Sequence, residues 1–309
     1  MATNTSVDRH ESSYKYRVCY DSSRVPRSMT FEAIDGGRHI RSMPLYVDVR
    51  RVLTELAALG IGPDQPLTPD QLYPFDQFHY HGTDAVRAAV GAIGLGRQSQ
   101  VLEVGAGLGG PARYLAQTVG CHVTALELQR DLHDVAVHLT HRCGLDDRVK
   151  HVHGDALTSP LPEKAFDAVV SWLAIHHIPN RPALLARLYK TLRPTGRIYI
   201  EDLVVRAAFP PADQRDVERT LHGITMTSTD GYVRDLAAAG FVDIEVTDMT
   251  SSWAIFCRAR AAAFAADRER HARLHGEDTA ARLEGFFNTV DRLFTSGGLG
   301  GVRLAGRRV

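Results

Sequence analysis

The stretch that decides the fold is VLEVGAGLGG, residues 101–110, in which an apolar segment runs into four glycines within six residues. Glycine tolerates positive φ, and its missing side chain lets a ligand contact the main chain. Gly105, Gly107 and Gly110 fit G-x-G-x-x-G, the dinucleotide fingerprint. Gly105, Gly107 and Gly109 fit G-x-G-x-G, a second nucleotide-binding turn, and Gly109 and Gly110 also suit close packing of a helix on a strand. The glycines alone leave these alternatives open.

Beyond residue 100 the sequence alternates between short apolar strands and amphipathic helices, which predicts βαβ units and a parallel sheet. Five strands are predicted in VLEVG, HVTALEL, VKHVHGD, FDAVVSWLAI and GRIYIEDLV, followed by a long strand FVDIEVTDMTSSWAIF and the tail GGVRLAGRRV. The strongly helical segment 257–290 separates the last two strands, which predicts an antiparallel edge. We therefore predict an α/β fold with a Rossmann-like, doubly wound, seven-stranded sheet and an antiparallel last strand.

The residues before the sheet are predicted to form an N-terminal helical cap or lid, 1–75, with a disordered polar start. Residues 44–60 have helical spacing, and 62–76 are a connector rich in proline and aspartate. The nucleotide-binding core is predicted to span 76–309, with insertions at about 205–230 and 257–295.

Composition limits the partners and the location. Lys+Arg and Asp+Glu both number 36, so nothing favours nucleic acid or an anionic membrane as the partner. The polar first residues lack a signal peptide's apolar region, and no apolar run approaches the roughly 18 residues of a membrane span. We predict a cytoplasmic protein. The four cysteines have no metal spacing, and the histidines lack carboxylates at ligand spacing, so no metal site is predicted.

Three acidic residues at strand ends narrow the choice of cofactor. Glu103 lies two residues before the glycines, where it can reach the ammonium of a methionine-type ligand but would repel a pyrophosphate. Glu127 ends the second predicted strand and can bind both ribose hydroxyls of either nucleotide. Asp155, in HGDAL, can accept a hydrogen bond from an adenine amino group while the backbone of Ala156 faces the ring.

Together these segments resemble the class I S-adenosylmethionine-dependent methyltransferases over about residues 75–250. VLEVGAGLGG, LELQ, HGDA and SWLAIHHIPN match successive motifs of that family, and LRPTGRIYIED matches its fifth-strand motif, with Thr195 standing within the usual P-G-G. The resemblance implies S-adenosylmethionine as cofactor, held by Gln77, Glu103, Gly105, Gly107, Gly109, Glu127, Leu128, Asp155, Ala156 and Ser171. An NAD-dependent oxidoreductase is the more remote alternative, and a cofactor-binding subunit without catalysis is a third.

The segment PFDQFHYHGTDAV, residues 74–86, resembles methyltransferases that make osmolytes from small carboxylate-bearing molecules. The resemblance implies S-methylation of 4-methylthio-2-hydroxybutyrate in dimethylsulfoniopropionate synthesis, or alternatively N-methylation of glycine, sarcosine or dimethylglycine toward betaine. The residues predicted to align the substrate are Tyr80, His81, Trp172 and His176. His79 and His81 alternate with Tyr80, so only one set is expected to face the pocket. A homodimer is a possible assembly.

Overall fold

A computed structural model describes residues 15–17, 48–223 and 225–309. The strands are β1 (Lys15–Arg17), β2 (Gln100–Val104), β3 (His122–Glu127), β4 (Val149–His153), β5 (Phe166–Trp172), β6 (Leu192–Val205), β7 (Val242–Asp248) and β8 (Leu299–Arg307). They form one sheet in the order β1-β7-β8-β6-β5-β2-β3-β4. Strands β2 to β6 are parallel, whereas β8 is antiparallel to β6 and to β7.

The predicted α/β fold with seven strands and an antiparallel last strand is confirmed, with one difference in the position of that strand. β8 inserts between β6 and β7 and does not form an edge. The short β1 adds an eighth strand by pairing with β7. The chain order reverses between the neighbours β2 and β5, and such a switch point is where open α/β sheets bind ligands.

Helices cover both faces of the sheet. They are α1 (Arg51–Ala58), α2 (Pro69–Asp76), α3 (Thr83–Ile93), α4 (Gly110–Tyr114, continued by a π-helical turn Leu115–Val119), α5 (Arg130–Arg142), α6 (Arg181–Thr191), α7 (Pro211–Arg219), α8 (Thr229–Ala238), α9 (Thr250–Ala266), α10 (Arg268–His275) and α11 (Glu277–Thr295). Successive residues of a strand point to opposite faces. Ile198 and Ile200 accordingly pack in one core cluster with α6 and α8, and Tyr199 packs in the other with α3 and α4.

Two segments differ from the sequence prediction. The predicted long strand of residues 241–256 ends at Asp248, and residues from Thr250 onward form α9. The buried residues Trp253, Cys257, Ala261 and Phe264 of α9 recur at helical spacing, which the β-branched start of the segment obscured. The predicted connector 62–76 contains α2, which begins with Pro69 after a capping box between Thr68 and Gln71.

The predicted cap, residues 1–75, lies largely outside the described residues. Its described helices α1 and α2 pack on α5 through Leu56, Leu72 and Leu139. Leu108, in the glycine turn, belongs to the same apolar cluster. The cap therefore contacts the glycine turn directly. Among the described residues, no helix combines the length and apolar character needed to cross a membrane.

Candidate active site

A cavity of about 310 Å³ opens at the carboxyl ends of β2, β3, β4 and β5. This is the volume range of small-molecule sites, and it lies beside the switch point between β2 and β5. The glycine turn, Glu103 and Glu127 form one part of its wall, and Phe78, His79, Trp172, Leu173, His177 and Ile178 form another.

The glycine turn brings main chain to the cavity wall. Gly105 and Gly107 line the cavity with φ of +74° and +54°. A Cβ on Gly105 would lie 2.2 Å from the Cβ of Ala174, so no other residue fits without moving the turn. A Cβ on Gly107 would meet no described atom closer than 3.8 Å and would protrude toward the cavity. The turn thus presents bare backbone to a ligand at Gly107.

The last two glycines of the turn serve packing. Gly109 also has a positive φ, and its Cβ would lie 2.7 Å from the His151 ring. A Cβ on Gly110 would lie 2.4 Å from Nε2 of Gln77 and 2.6 Å from the carbonyl of Asp76. Neither glycine lies in the cavity wall. Close packing, the alternative that the sequence left open for Gly109 and Gly110, therefore accounts for both glycines.

Glu127 closes the second strand with its carboxylate at the cavity. One oxygen accepts a hydrogen bond from the Gly107 N–H at 2.9 Å, and the other accepts from the Gln129 N–H at 2.8 Å. Burial raises the pKa of Glu127, and the backbone hydrogen bonds oppose that rise. Each carboxylate oxygen can accept a second hydrogen bond, so the side chain suits a pair of hydroxyl donors.

Glu103 lies in the cavity wall beneath the turn, and only 2% of it is exposed. Its Oε2 has no hydrogen-bond partner among the described residues. Burial raises the pKa of Glu103 well above its usual value, and the nearby Arg113 guanidinium opposes this rise. A buried carboxyl with an unused oxygen would be stabilised as the anion by a cationic ligand.

The loop after β4 supplies the third acidic residue. Asp155 and Ala156 line the cavity, as does Leu128 from the end of β3. Oδ1 of Asp155 accepts a hydrogen bond from the Leu157 N–H at 2.8 Å, which fixes the turn. The Gly154 N–H donates to the Glu127 carbonyl at 2.8 Å. These bonds hold the two strand ends, and hence Glu127 and Asp155, in register beside the cavity.

Two histidines line the opposite part of the wall, and each has a defined tautomer. Nε2 of His79 donates to the Gly82 carbonyl at 3.0 Å, and Nδ1 of His177 donates to the His222 carbonyl at 3.0 Å. A carbonyl only accepts, so the proton of each neutral ring lies on the bonded nitrogen. Burial lowers the pKa of His79 to about 4 and lowers that of His177 well below 6.5. Both imidazoles are therefore neutral at pH 7.

Three of the residues predicted to align the substrate, Tyr80, His81 and His176, do not line this cavity. Tyr80 packs in an aromatic cluster with Trp253, at 4.9 Å between ring centroids, and with Phe294. His81 contacts Ser252 through Nε2 at 2.8 Å. Residues 79–81 form a turn in which Tyr80 and His81 both contact the Phe256 ring, whereas His79 lines the cavity. Of the four predicted residues, only Trp172 lines the wall.

His176 is buried against β6 and does not face the cavity. Its Nδ1 lies 2.5 Å from Oδ1 of Asp202, whose other oxygen accepts from the Tyr232 hydroxyl at 2.8 Å. The neighbouring His177 takes the position at the cavity wall instead. The two rings lie only 3.9 Å apart between centroids, and the sequence pattern alone does not say which of the two reaches the cavity wall.

Two predicted cofactor residues, Gln77 and Ser171, also lie outside the wall. Nε2 of Gln77 donates to Oδ1 of Asp76 at 2.8 Å, and Asp76 itself lines the cavity. The Ser171 hydroxyl donates to the Val104 carbonyl at 2.9 Å and ties β5 to β2. Phe78, Leu108 and Leu132 line the cavity and were not predicted, because apolar residues of a wall are indistinguishable in sequence from core residues.

Comparison with known proteins agrees with this geometry. Residues 102–200 match the family described as a methyltransferase domain. The chain is 28% identical over 165 residues to a glycine/sarcosine/dimethylglycine N-methyltransferase of Actinopolyspora halophila, covering 53% of this chain and 29% of that protein. It is 28% identical over 172 residues to a phosphoethanolamine N-methyltransferase of Triticum aestivum, covering 56% and 34%. The chain thus matches only about a third of the length of these curated relatives.

A solved structure shares the fold over most of the chain. Phosphoethanolamine N-methyltransferase 2 of Haemonchus contortus, in complex with phosphomonomethylethanolamine and S-adenosylhomocysteine, superimposes with a TM-score of 0.72 at 20% identity. The superposition covers 85% of this chain and 61% of that one.

The residues at the cavity fit S-adenosylmethionine. The unused oxygen of Glu103 suits an ammonium group, the Glu127 carboxylate suits a ribose, and the bare backbone at Gly107 allows close approach. A dinucleotide pyrophosphate would meet the buried Glu103 carboxyl instead, which disfavours the oxidoreductase alternative. Residues 102–200 match the family described as a methyltransferase domain, and the chain has the Rossmann-like fold of an S-adenosylmethionine-dependent methyltransferase.

Proposed function

We propose that this protein methylates a small molecule, with the thioether sulfur of 4-methylthio-2-hydroxybutyrate as the best candidate acceptor. S-adenosylmethionine supplies, when bound, a sulfonium methyl group that a nucleophile can displace. The observation that carries the proposal is the wall opposite the glycine turn, where aromatic and apolar side chains surround two neutral imidazoles. That surface suits an uncharged nucleophile.

The neutral state of the two wall histidines, His79 and His177, favours a sulfur acceptor over an ammonium nitrogen. A thioether carries no proton, so it needs alignment and removal of water but no base. An ammonium must lose its proton first, and an imidazole whose pKa has fallen to about 4, as for His79, is a weak proton acceptor. His177, whose pKa is lowered in the same direction, is no better suited to that task.

The same wall can hold the hydroxyl of the candidate substrate and the sulfonium of its product. The unprotonated nitrogens, Nδ1 of His79 and Nε2 of His177, can accept a hydrogen bond from the substrate hydroxyl. The aromatic faces of Phe78 and Trp172 can stabilise a sulfonium product through cation–π attraction. The His79 and Trp172 rings lie 5.7 Å apart between centroids, so these two surfaces adjoin.

N-methylation of an amine is the second candidate, and the sequence relatives favour it. The two relatives described above are named as N-methyltransferases of glycine derivatives and of phosphoethanolamine. An amine acceptor bound to this wall would have to arrive as the free base. Incubating the protein with labelled S-adenosylmethionine and a panel of thioether acids, glycine derivatives and phosphoethanolamine tests the proposal. Label transferred to amines but not to thioethers would overturn it.

The pH dependence separates the two acceptors. With a thioether we expect a turnover rate that changes less than twofold between pH 7 and pH 9, because neither the acceptor nor the neutral histidines titrate there. With an amine the free-base fraction rises about tenfold per pH unit below the amine's pKa, and the rate should rise with it. Initial rates at saturating S-adenosylmethionine make the comparison, and a tenfold rise with the thioether would contradict neutral binding.

We expect Glu127→Ala to weaken binding of S-adenosylhomocysteine by about 1–3 kcal/mol, measured by calorimetry, because charge-assisted hydrogen bonds to the ribose would be lost. Asp131→Asn is the control, since it removes a neighbouring carboxylate on α5 that does not line the cavity. Unchanged affinity in the Glu127 variant would mean that this carboxylate only stabilises the glycine turn, through its hydrogen bond from the Gly107 N–H.

The remaining sequence predictions stay predictions. They are the homodimer, the cytoplasmic location and the division into a cap of residues 1–75 and a core of 76–309 with insertions. Two contacts are consistent with a cap that acts on the site: α2 ends at Asp76 in the cavity wall, and Leu108 of the glycine turn packs with α1.

A further inference from the structure

A cluster of two histidines and a glutamate lies away from the cavity, between the N-terminal helix α1 and the helix α10. Glu55 on α1 faces His271 and His275, which are one helical turn apart on α10. Each of the three residues offers one ligand atom, and these atoms all lie within 4.8 Å of one another. The sequence predicted no metal site because Glu55 is more than 200 residues away from the histidines, and only the fold brings them together.

Each histidine of this cluster has a ring nitrogen that no other group in the described part of the chain uses. Nδ1 of His271 and Nδ1 of His275 are buried and have no hydrogen-bond partner in the part of the chain that the structure describes. The Phe264 ring stacks on His271 at 4.5 Å and holds its orientation.

We propose that Glu55, His271 and His275 bind a divalent transition-metal ion such as Zn²⁺, with water in the fourth position. Zinc takes nitrogen and oxygen ligands at about 2.0–2.2 Å, which places tetrahedral ligand atoms roughly 3.4 Å apart. The ligand atoms, which lie within 4.8 Å of one another, would therefore have to come closer by up to about 1.4 Å on binding. The His271 side chain is 20% exposed, which leaves a path for the ion and for the water ligand.

Charged side chains around the cluster affect how tightly it could bind a metal ion. Arg270 donates to both oxygens of Glu55, to Oε2 through Nη2 and to Oε1 through Nη1 at 3.3 Å, and Oε1 also lies 2.7 Å from Nε2 of His275. An ion would have to replace the longer of these bonds at Oε1. Asp267 lies 3.9 Å from Nε2 of His271 and 3.8 Å from Arg270, and its negative charge offsets part of the guanidinium's. Arg51 on α1 adds a further positive charge near Glu55.

Binding would join the N-terminal cap to the C-terminal helices. Only Glu55 comes from α1, and both histidines come from α10, so the ion would link segments far apart in sequence. This site lies outside the cavity wall, and the inference does not depend on the proposed methyl acceptor.

Titration of the metal-free full-length protein with Co²⁺, followed by absorption spectroscopy, tests the site. We expect one equivalent to bind with the intense visible bands of a tetrahedral ion, and Zn²⁺ to displace it. His271→Ala should weaken Co²⁺ binding at least tenfold, whereas His141→Ala, which removes an exposed histidine on α5, should leave it unchanged. His271 is the partly exposed ligand, so its replacement is the variant best tolerated by the fold.

Three outcomes would overturn the proposal. The first is equal Co²⁺ affinity in the parent protein and in His271→Ala, and the second is binding with no defined stoichiometry. The third is a thiolate-to-cobalt charge-transfer band, which would assign the ion to a cysteine. Glu55→Gln keeps the hydrogen-bonding shape but removes the charge, and it should also weaken binding while circular dichroism stays unchanged.

Discussion

We expect Asp76→Ala to lower the free energy of unfolding by about 3–5 kcal/mol, because it leaves a charge unpaired in the protein interior. Neither side chain of the Asp76–Arg113 pair is exposed, and the Arg113 Nη2 lies 2.8 Å from Oδ2 of Asp76. The same guanidinium donates to the Leu108 carbonyl at 2.6 Å and to the Thr140 hydroxyl at 3.0 Å. One buried cation thus joins α2 of the cap, the glycine turn and α5.

Chemical denaturation of four variants tests this account: Asp76→Ala, Arg113→Met, their double variant and the control Asp84→Ala. Asp84→Ala breaks an exposed pair with Arg87, and its unfolding midpoint should not change measurably. The double variant Asp76→Ala/Arg113→Met removes both charges, and it should be more stable than Asp76→Ala alone. If the double variant loses as much stability as the sum of its single variants, the cost comes from packing and not from the unpaired charge.

The order of strands and helices was predictable because the apolar periodicity of each element is local. Residues 101–104 are buried on both faces, and Val101, Leu102 and Val104 make the stretch apolar except at Glu103, which indicates a buried strand without any tertiary information. The start of α9 was misassigned because Thr250 to Phe256 contains residues that suit a strand. In the folded protein Trp253 of α9 packs against Gly301, whose missing side chain makes room for the ring. The two residues are about fifty positions apart, so the sequence of the segment alone does not reveal this contact.

The residues around the glycine turn were easier to predict from the sequence than the histidines on the opposite part of the wall, for a geometric reason. Gly105 and Glu127 lie at strand ends, so the sheet itself brings them to one edge. His79 and His177 come from a loop and from a 3₁₀ turn, where the direction of a side chain depends on the local backbone. Their neutral state depends on burial and on the carbonyls of Gly82 and His222, which sequence spacing does not reveal.

Gly105→Ala should weaken S-adenosylhomocysteine binding at least a hundredfold in calorimetry, about 2.7 kcal/mol or more. The new Cβ would lie 2.2 Å from the Cβ of Ala174, and neither atom can rotate away because both are fixed to the backbone. Either the glycine turn or the segment after β5 must therefore move, and both line the cavity. The φ of +74° at this position adds about 1–2 kcal/mol of backbone strain for a residue with a side chain.

Two further variants separate the clash from the strain. Gly144→Ala, after α5, has a φ of +63° and no atom within 4 Å of the new Cβ, so it should lower stability while leaving affinity intact. Gly105→Ala/Ala174→Gly removes the colliding methyl group, and the next atom, Ala174 Cα, is 3.7 Å away. We expect this double variant to recover most of the lost affinity. Recovery would show that the turn binds the nucleoside through the position of its backbone, whereas no recovery would mean that the backbone torsion at Gly105 is the property the site requires.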